Sequence, residues 1–306
     1  MKKINGFLIG ALFGLIVSFF SYETVFADIT ENEIRSVVRI DIVDVYSNEV
    51  IEGGSGTIIN EDGDILTNFH VIEKVVSYPD DYLLSICLTL DSKNLPECGL
   101  PAQVDSYLEA IDLALIFLSL DETTQEYLML KAYLINENYT LPVIQINYEN
   151  PKIGEELNIL GYPGVGFETI TYTKGVVSGF LYPKEGEGVR FIKTDAQINP
   201  GNSGGAAFDS NNKFIGVPTF GFASETFGFM DYIIPTNVVD TFINWAYAEV
   251  GSDEDKQYEM ELNKFIQQEK EAFGDFGIYE WEIGWLYLIG AVVVLVIAIV
   301  IWRRAE

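Results

Sequence analysis

The stretch TDAQINPGNSGG, residues 194–205, places Ser203 between glycine-containing segments. Glycines allow the backbone to turn sharply and to direct amide N–H groups inward, as an oxyanion hole requires. An ordinary loop of Gly, Ser and Asn would explain the bare Gly-x-Ser-Gly pattern as well. The length of this stretch and its strand-like flanks instead favour a nucleophilic serine.

Two earlier segments carry groups that would activate such a serine. LTNFHVI, residues 66–72, contains His70, which is the only histidine of the chain and a natural general base near neutral pH. AIDLALI, residues 110–116, places the single carboxylate of Asp112 at the start of an apolar strand, where it needs a hydrogen-bonding partner. Taken alone, the histidine would be interpreted as an ordinary polar residue, and the aspartate would be interpreted as a turn residue. Together with Ser203 they predict a Ser-His-Asp triad.

The rest of the region from residue 28 to about 247 consists of short apolar runs separated by turn signals. This pattern is typical of an all-β sandwich or barrel. Strands are predicted at 36–43 and 154–161, and a hairpin at 54–67 with Asp62-Gly63 at its turn. The first convincing helix is predicted over 237–250.

These segments together resemble the HtrA/Deg family of trypsin-like serine proteases, and the similarity runs colinearly from about residue 37 to 239. The resemblance implies an all-β fold of two perpendicular six-stranded β-barrels, covering about residues 35–145 and 150–235, with the active site in the cleft between them. The matching segments are the Gly54-x-Gly56 hairpin, the boxes around His70, Asp112 and Ser203, Leu160-Gly161-Tyr162-Pro163, Gly175-Val176-Val177-Ser178 and Ile234-Pro235-Thr236-Asn237.

The resemblance also implies hydrolysis of peptide bonds in proteins or peptides through an acyl-enzyme. Ser203 would attack the carbonyl carbon, His70 would move the proton, and Asp112 would orient the imidazole. The N–H groups of Gly201 and Ser203 would form the oxyanion hole. No metal and no organic cofactor is required.

The substrate pocket follows from family analogy alone. Trypsin-type pockets that select Arg or Lys carry an acid six residues before the serine, where this chain has Gln197. Ile198, Thr219, Phe220 and Gly221 would line the pocket. We therefore expect small or medium aliphatic residues at P1, the substrate position whose carbonyl is attacked.

Both ends of the chain carry membrane signals. Residues 1–27 are typical of a signal peptide, and residues 283–302 form an uncharged stretch long enough to span a bilayer. Residues 303–306 would remain cytoplasmic, so the protease domain, 28–250, would lie outside the membrane. The acidic spacer, 251–282, is too short for the PDZ domain that many HtrA-like proteins carry. PDZ-dependent capture is therefore not expected, and the oligomeric state stays open.

Charge and cysteine content restrict the partners further. The formal net charge of −28 disfavours nucleic acid and anionic lipid headgroups, so membrane contact is expected only through the C-terminal helix. Cys87 and Cys98 would form a disulfide across a hairpin in an exported chain, and would be plain thiols in the cytosol.

The sequence therefore predicts a membrane-anchored, extracytoplasmic serine endopeptidase, with protein quality control as one hypothesis for its role. The alternative is a catalytically silent double barrel that serves as a binding or adhesion module. A third hypothesis is that the protease cleaves its own spacer around residues 251–277. Nothing in the sequence selects this third hypothesis.

Overall fold

The computed structural model describes residues 29–119, 140–164, 169–182, 189–219 and 231–273. Their strands form two closed β-barrels of six strands each. This architecture confirms the prediction of an all-β fold with two six-stranded barrels.

The first barrel closes because strand β1 pairs antiparallel with both β2 and β4. Along β1, Val38, Ile40 and Ile42 alternate into the barrel interior, where none of them is exposed to solvent. The predicted hairpin is present, with Gly63 at φ +90° in its turn. The strand order is β1-β2-β3-β6-β5-β4. The strands are β1 (Val37–Asp44), β2 (Val50–Ile58), β3 (Asp64–Thr67), β4 (Tyr82–Leu88), β5 (Glu97–Leu108) and β6 (Leu113–Leu118).

The second barrel closes through the pairing of β10 with β7. Its interior is filled by aliphatic side chains from facing strands, among them Ile159, Ile192 and Ile233. The strand order is β10-β11-β12-β9-β8-β7. The strands are β7 (Glu156–Gly161), β8 (Thr171–Leu181), β9 (Phe191–Thr194), β10 (Ala206–Asp209), β11 (Phe214–Thr219) and β12 (Asp231–Pro235).

A third apolar cluster joins the two barrels. It combines Leu66 and Leu115 of the first barrel with Phe208 and Phe214 of the second, and with Phe242 of the helix that follows β12. Burying a side chain of this size stabilises the fold by about 1.5–3 kcal/mol. The cluster holds the barrels against each other, so that residues from each can form one site.

Helices lie at the barrel edges. The prediction of no helix before residue 237 is wrong, because residues 69–77 are helical and carry His70. Phe69 and Ile72 of this helix are buried against the first barrel, so packing rather than sequence periodicity stabilises it. The predicted helix after Pro235 is confirmed at 236–247. The helices are α1 (Glu31–Ser36), α2 (Phe69–Ser77), α3 (Thr236–Tyr247) and α4 (Asp253–Phe273), with a short 3-10 helix at Glu109–Ile111.

Helix α4 occupies most of the segment predicted to be an acidic spacer. Its Leu262 is buried in the cluster that contains Phe242 of α3, so this part of the segment packs on the domain. Among the described residues, no helix is both long and apolar enough to cross a bilayer. The predicted signal peptide, 1–27, and the predicted membrane helix and tail, 283–306, lie outside them.

Candidate active site

Asp112 lies at the corner between β5 and β6, directly after the 3-10 helix. Its backbone is left-handed, with φ 53° and ψ 43°, a conformation that aspartate tolerates better than most residues. The N–H of Asp112 donates to the carbonyl of Glu109 at 2.9 Å, and its own carbonyl accepts from Asn68 Nδ2 at 2.8 Å. These bonds fix the direction of a carboxylate that is completely buried.

The carboxylate of Asp112 faces His70, which lies in the first turn of α2. His70 Nδ1 is 3.0 Å from each carboxylate oxygen, and the backbone N–H of His70 donates to Oδ1 at 3.1 Å. A carboxylate can only accept hydrogen bonds, so Nδ1 carries the hydrogen in the neutral ring. Nε2 is then the nitrogen that remains able to accept a proton.

Thr219, at the end of β11, provides another donor to the same carboxylate. Its hydroxyl lies 2.9 Å from Asp112 Oδ2. The sequence placed Thr219 only in the substrate pocket, and nothing in the pattern around it indicated a bond to an aspartate 107 residues away. With this bond, donors from both barrels compensate the burial of the Asp112 charge.

The electrostatics of His70 are dominated by two opposing effects. Burial lowers its pKa, but the charge of Asp112 and the hydrogen bond to it, with a smaller contribution from Glu73, more than offset that effect. The net result is a His70 pKa above its ordinary value of 6.5. The imidazole side chain remains 27% exposed, so a substrate can reach it.

Ser203 lies on the loop that precedes β10, against the segment that leads into α2. Its Oγ is buried and has no hydrogen bond to any residue that the structure describes. The loop is held against the first barrel by the bond from Ser55 N–H to the carbonyl of Ser203, at 3.0 Å. The next residue, Gly204, packs so closely that an added Cβ would lie 3.1 Å from the backbone nitrogen of Asn68.

The turn at Gly201 orients one of the two N–H groups predicted to form the oxyanion hole. Gly201 has φ +103°, and an added Cβ would lie 2.3 Å from the carbonyl oxygen of Tyr162, so only glycine fits. The carbonyl of Pro200 accepts a hydrogen bond from the N–H of Gly164 at 2.8 Å. This carbonyl and the N–H of Gly201 belong to the same trans peptide group, so the Gly201 N–H points in the opposite direction. None of the described residues accepts from the N–H of Gly201 or Ser203.

Ser55 of β2 is a site residue that the sequence reasoning missed. Its hydroxyl donates to the carbonyl of Gly201 at 2.6 Å and accepts from the N–H of Tyr162 at 2.8 Å. Together with its own N–H bond to Ser203, this residue of the first barrel anchors the serine loop, residues 195–205 between β9 and β10 of the second barrel. The available signal was a serine between Gly54 and Gly56, in the hairpin segment that matched the family.

The structure describes two of the four residues predicted to line the pocket, Ile198 and Thr219. The side chain of Ile198 is buried in the core of the second barrel, and Gln197 beside it is exposed. Phe220 and Gly221 lie outside the described residues. The expectation of an aliphatic P1 residue therefore stays a prediction.

Within the described part of the chain, one group of side chains has metal-ligand chemistry, and it lies in the first barrel away from the serine loop. It consists of Asp41, Cys87 and Cys98. The two sulfur atoms are 2.09 Å apart in a disulfide between β4 and β5, so neither is available as a thiolate ligand.

The geometry agrees with what is found by comparison with known proteins. The family model for the trypsin-like peptidase domain matches residues 54–217, more than half of the chain. This chain belongs to the trypsin-like peptidase family. The matched region contains His70, Asp112 and Ser203, and it ends within β11.

Individual members of the trypsin-like peptidase family resemble the chain over the same region. A probable periplasmic serine endoprotease, DegP-like, from Hahella chejuensis is 32% identical over 196 residues, which are 62% of this chain and 34% of that protein. The serine endoprotease DegS of Haemophilus influenzae is 27% identical over 212 residues, 67% of this chain and 53% of that protein. The chain spans about a third or less of the length of four curated relatives that are at least 30% identical to it, the Hahella protein among them.

A solved structure shows the same fold in a further trypsin-like peptidase. The serine endoprotease from Yersinia pestis superposes with a TM-score of 0.52 at 25% identity, covering 72% of this chain and 67% of that one. The two-barrel architecture is therefore shared with a known endoprotease.

Proposed function

We propose that the protein is a serine endopeptidase that hydrolyses peptide bonds through Ser203, His70 and Asp112. The observation that carries the proposal is the set of bonds on Asp112, which orients His70 Nδ1 and leaves Nε2 to act as base. Membership of the trypsin-like peptidase family supports the same reaction.

The steps follow from which groups carry protons. Nε2 of His70 removes the hydroxyl proton of Ser203 while Oγ attacks the substrate carbonyl, and the N–H groups of Gly201 and Ser203 stabilise the oxyanion. His70 then gives the proton to the leaving amine, and water repeats the sequence to release the acyl group. Because Ser203 Oγ has no hydrogen bond to any residue that the structure describes, we infer that rotation of this side chain toward His70 is the first step.

The location belongs to the same proposal. We place the protease domain outside the cytoplasmic membrane, anchored by residues 283–302, because this uncharged stretch has tryptophans near both of its ends and is followed by two arginines. The name of the Hahella relative describes a periplasmic protein, which supports an extracytoplasmic site. Protein quality control is the proposed role, with exported proteins or peptides as substrates.

The direct test of the nucleophile is covalent labelling of the full chain with a fluorophosphonate probe. We expect labelling of the wild type and complete loss of labelling in Ser203→Ala, because the probe forms its covalent bond with the oxygen of the nucleophilic serine. The matched control is Ser47→Ala, which removes an exposed hydroxyl in the β1–β2 turn and should label like the wild type. A wild type that resists the probe and cleaves no peptide would instead favour the silent binding module.

The pH dependence of catalysis tests His70 as the base. Protonated imidazole cannot accept the serine proton, and the raised pKa of His70 keeps it protonated up to a higher pH than an ordinary histidine. We therefore expect kcat/KM to fall on acidification through an apparent pKa above 6.5. Peptide hydrolysis measured from about pH 5 to 9 checks this. A rate that stays constant over that range would rule out His70 as the base.

A further inference from the structure

Helix α4 has an apolar side, although the segment that forms it is acidic. Leu262 is buried in the cluster that joins the two barrels, and Phe265 and Ile266 are partly buried against the same cluster. Asn263 and Lys264, which lie between them in the sequence, are exposed. Steps of three and four residues place the three apolar side chains on one side of a helix. Among the α4 side chains that the structure describes, Leu262 alone is fully buried.

The cluster that contains Leu262 also contains both chain neighbours of Asp112. Ile111 is the last residue of the 3-10 helix and Leu113 is the first residue of β6, and neither has any exposed surface. Helix α4 also lies next to the 3-10 helix. Asp112 is therefore held between two apolar residues that are anchored in a cluster which α4 helps to close.

The backbone at Asp112 depends on such support. A 3-10 helix of three residues makes few hydrogen bonds of its own and is not stable alone. The left-handed conformation of Asp112, with φ 53°, is unfavourable for a residue with a side chain unless the surrounding structure holds it. Hydrogen bonds hold the carboxylate, and the burial of Ile111 and Leu113 holds the backbone on either side of it.

We propose that Leu262 is a positioning residue for the triad, which acts through Ile111 and Leu113 on the Asp112 carboxylate. This inference rests on the proposed peptidase function, and it gives the segment after the second barrel a part in catalysis. A smaller side chain at this position would leave a cavity in the cluster, into which a packed interior relaxes only in part. The 3-10 helix would lose support, and the carboxylate would shift relative to the imidazole of His70. A displacement of about 1 Å in a catalytic group can lower a rate by about 100-fold.

His70 reports on this effect because it is the only histidine of the chain. In a protein isotopically labelled in histidine alone, the NMR signals come from one ring, and their change with pH gives the pKa of His70 without any substrate. Asp112 and, more weakly, Glu73 raise that pKa, whereas Lys74 of the same helix is paired with Glu52 of β2. A looser contact with Asp112 therefore lowers the pKa of His70.

The test compares the full-length wild type with Leu262→Ala and Leu262→Met, each well below its unfolding temperature. We expect Leu262→Ala to lower the pKa of His70 by at least about 0.5 pH units and to lower kcat for peptide hydrolysis by at least about tenfold. Methionine fills nearly the same volume, so Leu262→Met should keep both values close to those of the wild type.

The matched control is Leu157→Ala, which removes a completely buried leucine from the core of the second barrel. The described residues of that core include none from the 3-10 helix or from α2. Both alanine variants should therefore lose thermal stability, because each creates a cavity, but Leu157→Ala should leave the pKa of His70 unchanged.

An unmoved pKa of His70 in Leu262→Ala would overturn the proposal, as would an equal fall in Leu157→Ala, which would show a general effect of lost stability. If Leu262→Ala does not fold, Leu262→Val replaces it, and its smaller cavity should still lower the pKa. The NMR measurement needs no turnover. A wild type that neither cleaves peptides nor reacts with the fluorophosphonate would contradict the peptidase function, while the pKa values would still decide whether Leu262 holds Asp112 against His70.

Discussion

Replacing Asp112 by asparagine should lower kcat/KM for peptide hydrolysis by about 10⁴-fold, the size of loss that this change causes in other Ser-His-Asp proteases. The substitution preserves size, and asparagine tolerates the positive φ of this position. However, the new amide group would turn an N–H toward His70 Nδ1. That contact favours the tautomer with its hydrogen on Nε2, which cannot accept the proton of Ser203.

The same variant should change the pH profile in a defined direction. The Asp112 charge is the largest of the effects that raise the pKa of His70 against the effect of burial, so its removal lowers that pKa. The acid limb of the residual activity should therefore move to lower pH. Asp62→Asn, in the exposed turn of the β2–β3 hairpin, is the control for loss of one acid and should behave as the wild type. A rate loss below about tenfold, or an unmoved acid limb, would contradict the assigned role of Asp112.

The second large effect is expected on stability, from Gly204→Ala. An alanine Cβ would lie 2.2 Å from the carbonyl oxygen of Ser55 and 2.3 Å from Thr67 Oγ1, at a residue with φ +82°. A left-handed backbone costs a non-glycine residue about 1–2 kcal/mol, and crowding of a packed interior costs about 1–3 kcal/mol more. We expect a loss of about 2–5 kcal/mol in the free energy of unfolding, or at least about 4 °C in Tm.

The control separates the two causes of that loss. Gly154 has nearly the same backbone angle, φ +84°, but nothing lies within 4 Å of an added Cβ. Gly154→Ala should therefore cost only about 1–2 kcal/mol, which corresponds to a few degrees in Tm. Thermal unfolding of both full-length variants, followed by near-ultraviolet circular dichroism, gives the comparison. Equal shifts would show that the close approach of Gly204 to the first barrel is not what requires glycine there.

Much of the architecture could be predicted because its signals are local. Short apolar runs separated by turn residues indicated strands, and Asp62-Gly63 correctly marked a hairpin turn. Helix α2 could not be predicted in the same way. Its nine residues are too few to be stable alone, and it persists because Phe69 and Ile72 pack on a barrel formed by distant strands.

The sequence was enough to propose His70, Asp112 and Ser203 as a triad, because His70 is the only histidine of the chain and the segments around the three residues have specific patterns. Only the tertiary structure decided what surrounds them. Thr219 forms a hydrogen bond with Asp112, Ser55 with Gly201 of the serine loop, and Asp231 with Ile198. The two residues of each pair are between 33 and 146 positions apart in the sequence. Hydrogen bonds between such distant residues depend on how the two barrels close and pack against each other. The sequence pattern around a single residue does not predict that packing.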